Sequence, residues 1–154
     1  MINAAIQTQA DAIHPGYGFL SENADFARAC EDAGLTFIGP NADAIALMGS
    51  KRLSKIAMLQ ANVPCIPGYE GGDQSDAALI ESAKNIGFPL MVKASAGGGG
   101  KGMRLVHEAS DLAAHISTAR SEALNGFGND ELILERALIG PRHIEIQIFA
   151  DGCG

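Results

Sequence analysis

The sequence contains few aromatic residues and few cysteines. Aromatic side chains make up 5% of the 154 residues, tryptophan is absent, and three cysteines are an odd number for disulfide pairing. Cys30, Cys65 and Cys153 are widely spaced and form no C-x-x-C pair, so the sequence predicts neither a disulfide framework nor a zinc site. A reducing compartment is therefore expected.

Long apolar runs and an excess of positive charge are also missing. No apolar stretch approaches the ~20 residues that span a bilayer, and the N-terminus has no signal-peptide pattern. The 11 Lys and Arg residues are outnumbered by 18 Asp and Glu residues, for a net charge of -7. This charge argues against binding to nucleic acid or to an anionic membrane surface. Any anionic ligand must be bound by a local group of cations.

The hydrophobic fraction of 47% and the alternation of helical and strand patterns are typical of a soluble α/β fold. In the first 64 residues, Ser21, Asn41 and Ser50 are predicted to cap helices. Short strands are predicted at 12–13 and 35–38. Met1 leads directly into a helical pattern with no cap, and the sequence stops in a turn signal at 151–154, just after a predicted strand. Both ends are therefore interpreted as cuts through a larger protein.

Residues 63–72 contain two prolines and several glycines, and this interruption predicts a domain boundary. Beyond it, two helices and four strands are expected. The predicted helices cover 75–86, with a stop at Gly87, and 109–124. The predicted strands cover 90–94, 103–106, 132–136 and 143–149.

The glycine run Gly97–Gly100 is the most informative motif. Its backbone N–H groups carry no side chains over them and can converge on phosphate oxygens. Lys84, Lys93, Lys101 and Arg104 surround the run, and no acidic residue lies between Glu81 and Glu108. This local reversal of charge favours a polyphosphate site. The alternative is a surface hairpin that binds no ligand.

Two familiar phosphate motifs do not fit the glycine run. Gly97, Gly99 and Gly102 match the G-x-G-x-x-G spacing of a dinucleotide site, but the alternating residues 103–106 predict a strand where that site needs a helix. A Walker A loop is excluded because Lys101 is followed by glycine rather than by Ser or Thr. The sequence instead predicts a hairpin flap. Lys93, on the apolar strand before the flap, is costly to bury without an anion nearby.

Two later strands carry further candidate residues. The strand ending at Glu135 and Arg136 is either an edge strand with solvated charges or a surface for the flat edge of adenine. In the segment 143–149, alternation places His143, Glu145 and Gln147 on one face, either exposed to solvent or lining a cleft.

Together, four motifs resemble the biotin carboxylase family, the ATP-grasp component of biotin-dependent carboxylases. They are HPGYGFLSEN at 14–23, GSK at 49–51, VKASAGGGGKGM at 92–103 and PRHIEIQ at 141–147. The sequence is most similar to the biotin carboxylase subunit of an acyl-CoA carboxylase of the methylcrotonyl- or geranyl-CoA type.

The resemblance implies three parts for this internal fragment. Residues 1–64 correspond to the C-terminal part of the N-terminal α/β (pre-ATP-grasp) domain, 65–138 to the small (flap) ATP-grasp lobe, which is α+β, and 139–154 to the truncated start of the large lobe. The implied ATP-binding residues are Lys51, Lys93, Gly99, Gly100, Glu135, Arg136, Ala137, Leu138 and His143. Tyr17 is implied to lie near the biotin pocket, and no catalytic residue or metal ligand is expected before Gly154.

The implied activity is ATP-dependent carboxylation of biotin with bicarbonate through carboxyphosphate, with Mg²⁺ as the metal and the fragment inactive alone. The implied partners are a biotin carboxyl carrier domain and a carboxyltransferase subunit, with a homo-oligomeric full-length protein. The implied location is the cytoplasm, or the mitochondrial matrix in a eukaryote. Two rivals remain at this point: a nonenzymatic nucleotide-binding or interaction module, and a NAD-binding domain, which requires a helix near Met103.

Overall fold

The computed structural model describes residues 1–97 and 102–151 of the chain. Within them, the α-helices are α1 (Ile2–Gln7), α2 (Ala24–Asp32), α3 (Ala42–Gly49), α4 (Lys51–Gln60), α5 (Asp76–Ile86) and α6 (Leu112–Phe127). The strands are β1 (Ala12–Ile13), β2 (Thr36–Phe37), β3 (Gly68–Tyr69), β4 (Leu90–Ala94), β5 (Met103–Val106) and β6 (Leu132–Arg136). Short 3₁₀ turns cover Phe19–Glu22 and Ala109–Asp111. No helix in these ranges is long and apolar enough to cross a membrane.

The N-terminal part is built on a parallel pair of strands. β1 pairs with β2, with Ile13 opposite Phe37. Helices α2 and α3 cover this pair, and their apolar faces form one hydrophobic cluster with it. The buried members of that cluster are Ile13, Ala27, Cys30, Leu35, Phe37, Ala42 and Ile45.

The C-terminal part contains a four-stranded antiparallel sheet in the order β3-β6-β4-β5. Helices α5 and α6 pack on one face of this sheet and form a second hydrophobic cluster. Its buried members are Leu79, Ala83, Ile86, Leu90, Val92, Val106, Leu112, Ile116, Ala119, Leu132 and Leu134. The mixed α/β fold class is thereby confirmed, while the boundaries at 64/65 and 138/139 stay predictions.

The two faces of the sheet differ in chemistry because successive side chains of a strand point to opposite sides. On β4, Leu90, Val92 and Ala94 are buried, and Leu90 and Val92 belong to the cluster with α5 and α6. The intervening Lys93 lies on the other face, where β6 presents Glu135. Helix α4 also contacts β6. Lys93 and Glu135 therefore lie together on the face of the sheet that is opposite to α5 and α6.

Most predicted helix starts are confirmed. Asn41, Ser50 and Ser75 each accept a backbone N–H in the first turn of α3, α4 and α5. The prediction for Ser21 is wrong, because this residue lies inside a 3₁₀ turn. The α2 cap is Asn23, whose Oδ1 accepts the N–H of Phe26 at 2.7 Å.

The strand predicted over 143–149 is absent from the structure. Residues 141–150 form neither helix nor strand, and Ile144, Ile146 and Ile148 are 72%, 83% and 79% exposed. A strand needs a hydrogen-bonded neighbour, and the described sheet ends at β3 and β5 without pairing to this segment. Alternation alone therefore predicted an element that has no partner strand in the described chain.

Candidate functional site

The carboxylate of Glu135 lies between two lysine amines. Lys93 Nζ donates to Glu135 Oε2 at 2.5 Å, and Lys55 Nζ donates to Oε1 at 3.1 Å. All three side chains are largely buried: 20% of Lys93, 7% of Lys55 and 13% of Glu135 is exposed. Because each carboxylate oxygen has its own cation, the three groups form a continuous charged cluster.

Strand register and helix spacing bring this cluster together. β4 and β6 pair with Met91 opposite Glu135 and Lys93 opposite Ile133, so Lys93 and Glu135 are diagonal neighbours on one face. Lys55 reaches that face from α4. It lies one helical turn after Lys51, and residues four apart share one side of a helix.

Electrostatics favour the ionised form of Glu135. Burial alone would raise the pKa of this carboxyl, but hydrogen bonding to Lys93 and the charges of Lys93 and Lys55 outweigh it. The pKa of Glu135 is therefore held below its usual range. The protein itself thus supplies an anion for Lys93 in its buried position.

Lys51 is the cation at the edge of the cluster. Its amine donates to the carbonyl of Gly97, the first glycine of the run. In the described ranges, no carboxylate lies within ion-pairing distance of it. Burial, together with repulsion from Lys93, lowers the pKa of Lys51, although Glu135 acts in the opposite direction. An additional negative charge at this point would be stabilised by both lysines.

Ser95 fixes the start of the glycine run against α4. Its carbonyl accepts the Lys51 N–H at 2.8 Å, and its hydroxyl lies 3.1 Å from Ser50 Oγ. Ser95 is 1% exposed. Two residues later, Gly97 has a φ of +77°, and a Cβ there would lie 2.2 Å from the ring of Phe127. The backbone at this point is therefore both anchored and necessarily free of a side chain.

Two cavities meet at Lys51. The smaller, of about 330 Å³, lies between α4 and β6, with Lys51, Lys55 and Glu135 among its polar lining residues and Ile66 and Ile133 among its apolar ones. The larger, of about 800 Å³, includes Lys51 and Gly97 and extends to the segment around Phe19. Both cavities contain Met48 in their walls.

Of the predicted ATP-binding residues, the structure brings Lys51, Lys93 and Glu135 together. Gly99 and Gly100 lie outside the described residues. Arg136 lies on the opposite face of β6 from Glu135, where Nη2 donates to the carbonyl of Ile86 at 3.1 Å. The structure therefore separates the side chain of Arg136 from the charged cluster.

The next two predicted residues continue the chain beyond β6. The N–H of Arg136 donates to Pro67 O at 2.9 Å, and that of Ala137 donates to Pro89 O at 3.0 Å. Leu138 is 55% exposed. Its N–H has no hydrogen-bond partner in the described ranges, so it is the open backbone donor of this stretch.

The last two predicted residues stand apart from the cluster. The His143 ring lies 3.3 Å from Glu145 Oε2, and its side chain is 87% exposed. Tyr17 is 97% exposed and makes an edge contact with His14, with ring centroids 6.4 Å apart. The structure gives neither residue a contact with Lys51, Lys93 or Glu135.

Sequence reasoning missed Lys55 and Glu70. Glu70 Oε2 lies 3.6 Å from Lys55 Nζ, immediately after β3. The spacing of four between Lys51 and Lys55 was a usable signal, because it places both amines on one side of α4. No local pattern linked Glu70 or Glu135 to that helix.

The structure decides one of the alternatives. Met103 begins strand β5, which pairs antiparallel with β4. A dinucleotide-binding turn requires a helix to begin there, so the NAD-binding reading is excluded. Within the described ranges, no three His, Cys, Asp or Glu side chains are grouped so that they could bind a metal ion.

Comparison with known proteins agrees with the fold. A family model described as the carbamoyl-phosphate synthase L chain, ATP binding domain, matches residues 50–154. A second, described as the biotin carboxylase N-terminal domain, matches residues 1–45.

Two curated relatives match the whole chain. The mitochondrial methylcrotonoyl-CoA carboxylase subunit alpha of Dictyostelium discoideum is 52% identical over 154 residues, which are 22% of its own length. The biotin carboxylase of Haemophilus influenzae is 53% identical over 155 residues, or 35% of its length. The chain thus spans about a fifth to a third of the length of these relatives.

A solved structure has the same architecture. It is the biotin carboxylase domain dimer of Hydrogenobacter thermophilus 2-oxoglutarate carboxylase, in complex with MgADP, ADP and bicarbonate. Its sequence is 45% identical, the TM-score is 0.86, and the match covers 90% of this chain and 30% of that one. By sequence and by fold, the chain belongs to the biotin carboxylase family of ATP-grasp proteins.

Proposed function

We propose that this chain supplies part of the ATP site of a biotin carboxylase, which uses ATP to carboxylate biotin with bicarbonate through carboxyphosphate, as part of an acyl-CoA carboxylase. The observation that carries the proposal is the position of Lys51 and Lys93 beside the first glycine of the run. Lys51 contacts the Gly97 carbonyl, and Lys93 lies on the adjoining strand, buried against Glu135.

The described residues fit a nucleotide by charge and shape. Lys51, Lys55 and Lys93 outnumber Glu70 and Glu135, so the cluster attracts an anion even though the chain carries a net charge of -7. A neighbouring cavity of about 330 Å³ adds apolar surface. The proposed roles are phosphate binding for Lys51 and Lys93, with Gly99 and Gly100 as the flap over the phosphates.

The backbone after β6 fits the edge of an adenine ring. Leu138 offers the open N–H of this segment, because the N–H groups of Arg136 and Ala137 are already bonded. We assign Arg136 and Ala137 a backbone role in this segment. The proposal retains His143 as a nucleotide contact and Tyr17 as biotin-proximal on the basis of family resemblance.

Magnesium does not fit the side chains of the described residues, which contain no suitable group of ligands. We propose that the metal binds together with the nucleotide, as in the MgADP complex of the Hydrogenobacter relative. Its role is to neutralise phosphate charge. The acids that bind it and the catalytic residues are proposed to lie outside this chain.

The wider context of the reaction is also proposed from the relatives. It comprises bicarbonate as substrate, biotin on a carrier domain as acceptor, a carboxyltransferase partner and a homo-oligomer, in the cytoplasm or mitochondrial matrix. The three parts at 1–64, 65–138 and 139–154 are the proposed domain organisation. Methylcrotonoyl-CoA carboxylase relatives support an acyl-CoA carboxylase.

Titration calorimetry of the full-length protein with MgATP tests the proposal. Lys93→Met removes one charge-assisted contact, so we expect a loss of about 1.5–3 kcal/mol, or roughly 10- to 150-fold in Kd. Lys84→Met is the matched control, because Lys84 is exposed and pairs with Glu81 on α5. Equal affinity of the Lys93 variant and the wild type would contradict the proposed role. MgATP binding without bicarbonate-dependent ATP turnover would favour the nonenzymatic module.

A further inference from the structure

Lys55 is a buried cation to which the proposed function assigns no contact with the nucleotide. Only 7% of its side chain is exposed, and among the described residues its amine is hydrogen-bonded to Glu135 rather than to Gly97. Instead its amine lies between two carboxylates, Glu135 at 3.1 Å and Glu70 at 3.6 Å. Burial of these three charged groups costs desolvation free energy, even though they are paired. The position of Lys55 therefore indicates a role for its charge.

The fold makes a specific opening for this amine. Gly68 on β3 pairs with Glu135 on β6, and a Cβ on Gly68 would lie 2.6 Å from Lys55 Nζ and 2.1 Å from Leu134 O. The absent side chain at position 68 thus lets Lys55 reach the sheet from α4. The ammonium group of Lys55, on α4, thus lies between the backbone of β3 and Glu70, the residue that follows β3.

Glu135 creates an electrostatic problem for a phosphate site. Its carboxylate touches Lys93, the lysine proposed to bind phosphate, and an ionised carboxylate both repels phosphate and competes for that amine. Lys93 has no second carboxylate among the ion pairs of the described ranges. Lys55, in contrast, stays next to Glu135 whether or not Lys93 remains there, because α4 and Glu70 hold it in place.

We propose that Lys55 is a positioning residue for nucleotide binding, which neutralises and holds Glu135 so that Lys93 is available to phosphate. This inference rests on the proposed function of the site. With Lys55 present, three lysines face two acids. Without it, two lysines face two acids and the charges cancel. Among the described residues, Lys93 is then the cation that remains paired with Glu135.

The test is a double-mutant cycle in the full-length protein, read by titration calorimetry with MgATP and with adenosine. Lys55→Met keeps the length and apolar stem of the side chain but removes the charge. We expect it to weaken MgATP binding by about tenfold, which corresponds to about 1.4 kcal/mol. Adenosine, which carries no phosphate, should bind within about twofold of its wild-type affinity.

The cycle separates positioning from general structural support. In a Glu135→Gln background there is no carboxylate to restrain, so Lys55→Met should cost less than about threefold in MgATP affinity. Lys55→Arg, which retains the charge, should stay within about threefold of wild type. Lys84→Met serves again as the exposed control. If Lys55→Met does not fold, Lys55→Gln takes its place with the same expected outcomes.

Three results would overturn the inference: an unchanged MgATP affinity in Lys55→Met, the same factor of loss with and without Glu135, or an equal loss for adenosine and MgATP. Each leaves the proposed function intact as long as wild type binds MgATP and Lys93→Met binds it roughly 10- to 150-fold more weakly. Absence of MgATP binding by the wild type is the failure of the proposed function itself, and it also removes the basis of the inference.

Discussion

Glu135 is the residue on which the electrostatics of the site depend. It accepts from Lys93 at 2.5 Å and from Lys55 at 3.1 Å, so its negative charge is compensated on both oxygens. A single carboxylate thereby stabilises two lysines that would otherwise repel each other at close range. A phosphate group must therefore compete with the Glu135 carboxylate for the Lys93 amine.

The pH dependence of stability follows from this arrangement. Because the pKa of Glu135 in the folded state is below its unfolded value, its ionic contacts stabilise the fold fully above the unfolded pKa. That contribution is lost as the pH falls through the folded pKa. At neutral pH we expect Glu135→Gln to lower the free energy of unfolding by about 1–3 kcal/mol.

Urea unfolding across a pH series checks this expectation. The gap in unfolding free energy between wild type and Glu135→Gln should be constant above about pH 5.5 and narrow as acidification protonates the carboxyl. A gap that is the same at neutral and acidic pH would show that the residue acts through packing rather than through its charge. Lys84→Met removes an exposed ion pair. Its effect on the free energy of unfolding should be small and provides the baseline.

At the same scale, the sequence indicated that Lys93 needs a nearby anion, but not that a carboxylate of the same chain lies beside it. An apolar strand interrupted by lysine implies a nearby negative charge. The structure supplies Glu135 as that charge, 42 residues along the chain. Only the pairing of β4 with β6 reveals this partner, and no local pattern encodes strand register between distant segments.

At the scale of elements, those with a local physical signal were predictable. The caps at Asn41 and Ser50, the start of α5 near Ser75, and the strands β4, β5 and β6 follow from side-chain chemistry and alternation. Ser21 failed as a cap because it lies inside the 3₁₀ turn Phe19–Glu22, which leaves Asn23 to begin α2. Residues 143–149 failed as a strand because alternation cannot supply a pairing partner.

Strand β3 has a strict requirement for glycine at position 68. A Cβ there would lie 2.1 Å from Leu134 O on the paired strand, so the backbone of β3 would have to move. We expect Gly68→Ala to lower the free energy of unfolding by about 1–3 kcal/mol, the usual cost of overpacking. It should also weaken MgATP binding, because the displaced β3 pushes on Lys55.

Gly72→Ala is the matched control for this element, since a Cβ at Gly72 meets nothing within 4 Å. Urea unfolding of both variants measures the difference. If Gly68→Ala is as stable as Gly72→Ala, β3 can accommodate a Cβ at position 68. The opening for Lys55 would then not depend on glycine.

At the scale of the whole molecule, two hydrophobic clusters flank the charged site. One is built on β1 and β2, and the other on the four-stranded sheet. Helix α4 follows the last helix of the first cluster and carries Lys51 and Lys55 to the second. The net charge of -7 is thus compatible with anion binding, because three lysines are concentrated in one partly buried place where their field is weakly screened.

If this face of the sheet binds the phosphates of a nucleotide, a crystal structure of the full-length protein with MgADP will show them there. We predict phosphate oxygens within about 3.2 Å of Lys93 Nζ and Lys51 Nζ, with Lys55 still bonded to Glu135. A nucleotide bound elsewhere, with Lys93 paired only to Glu135, would contradict this prediction.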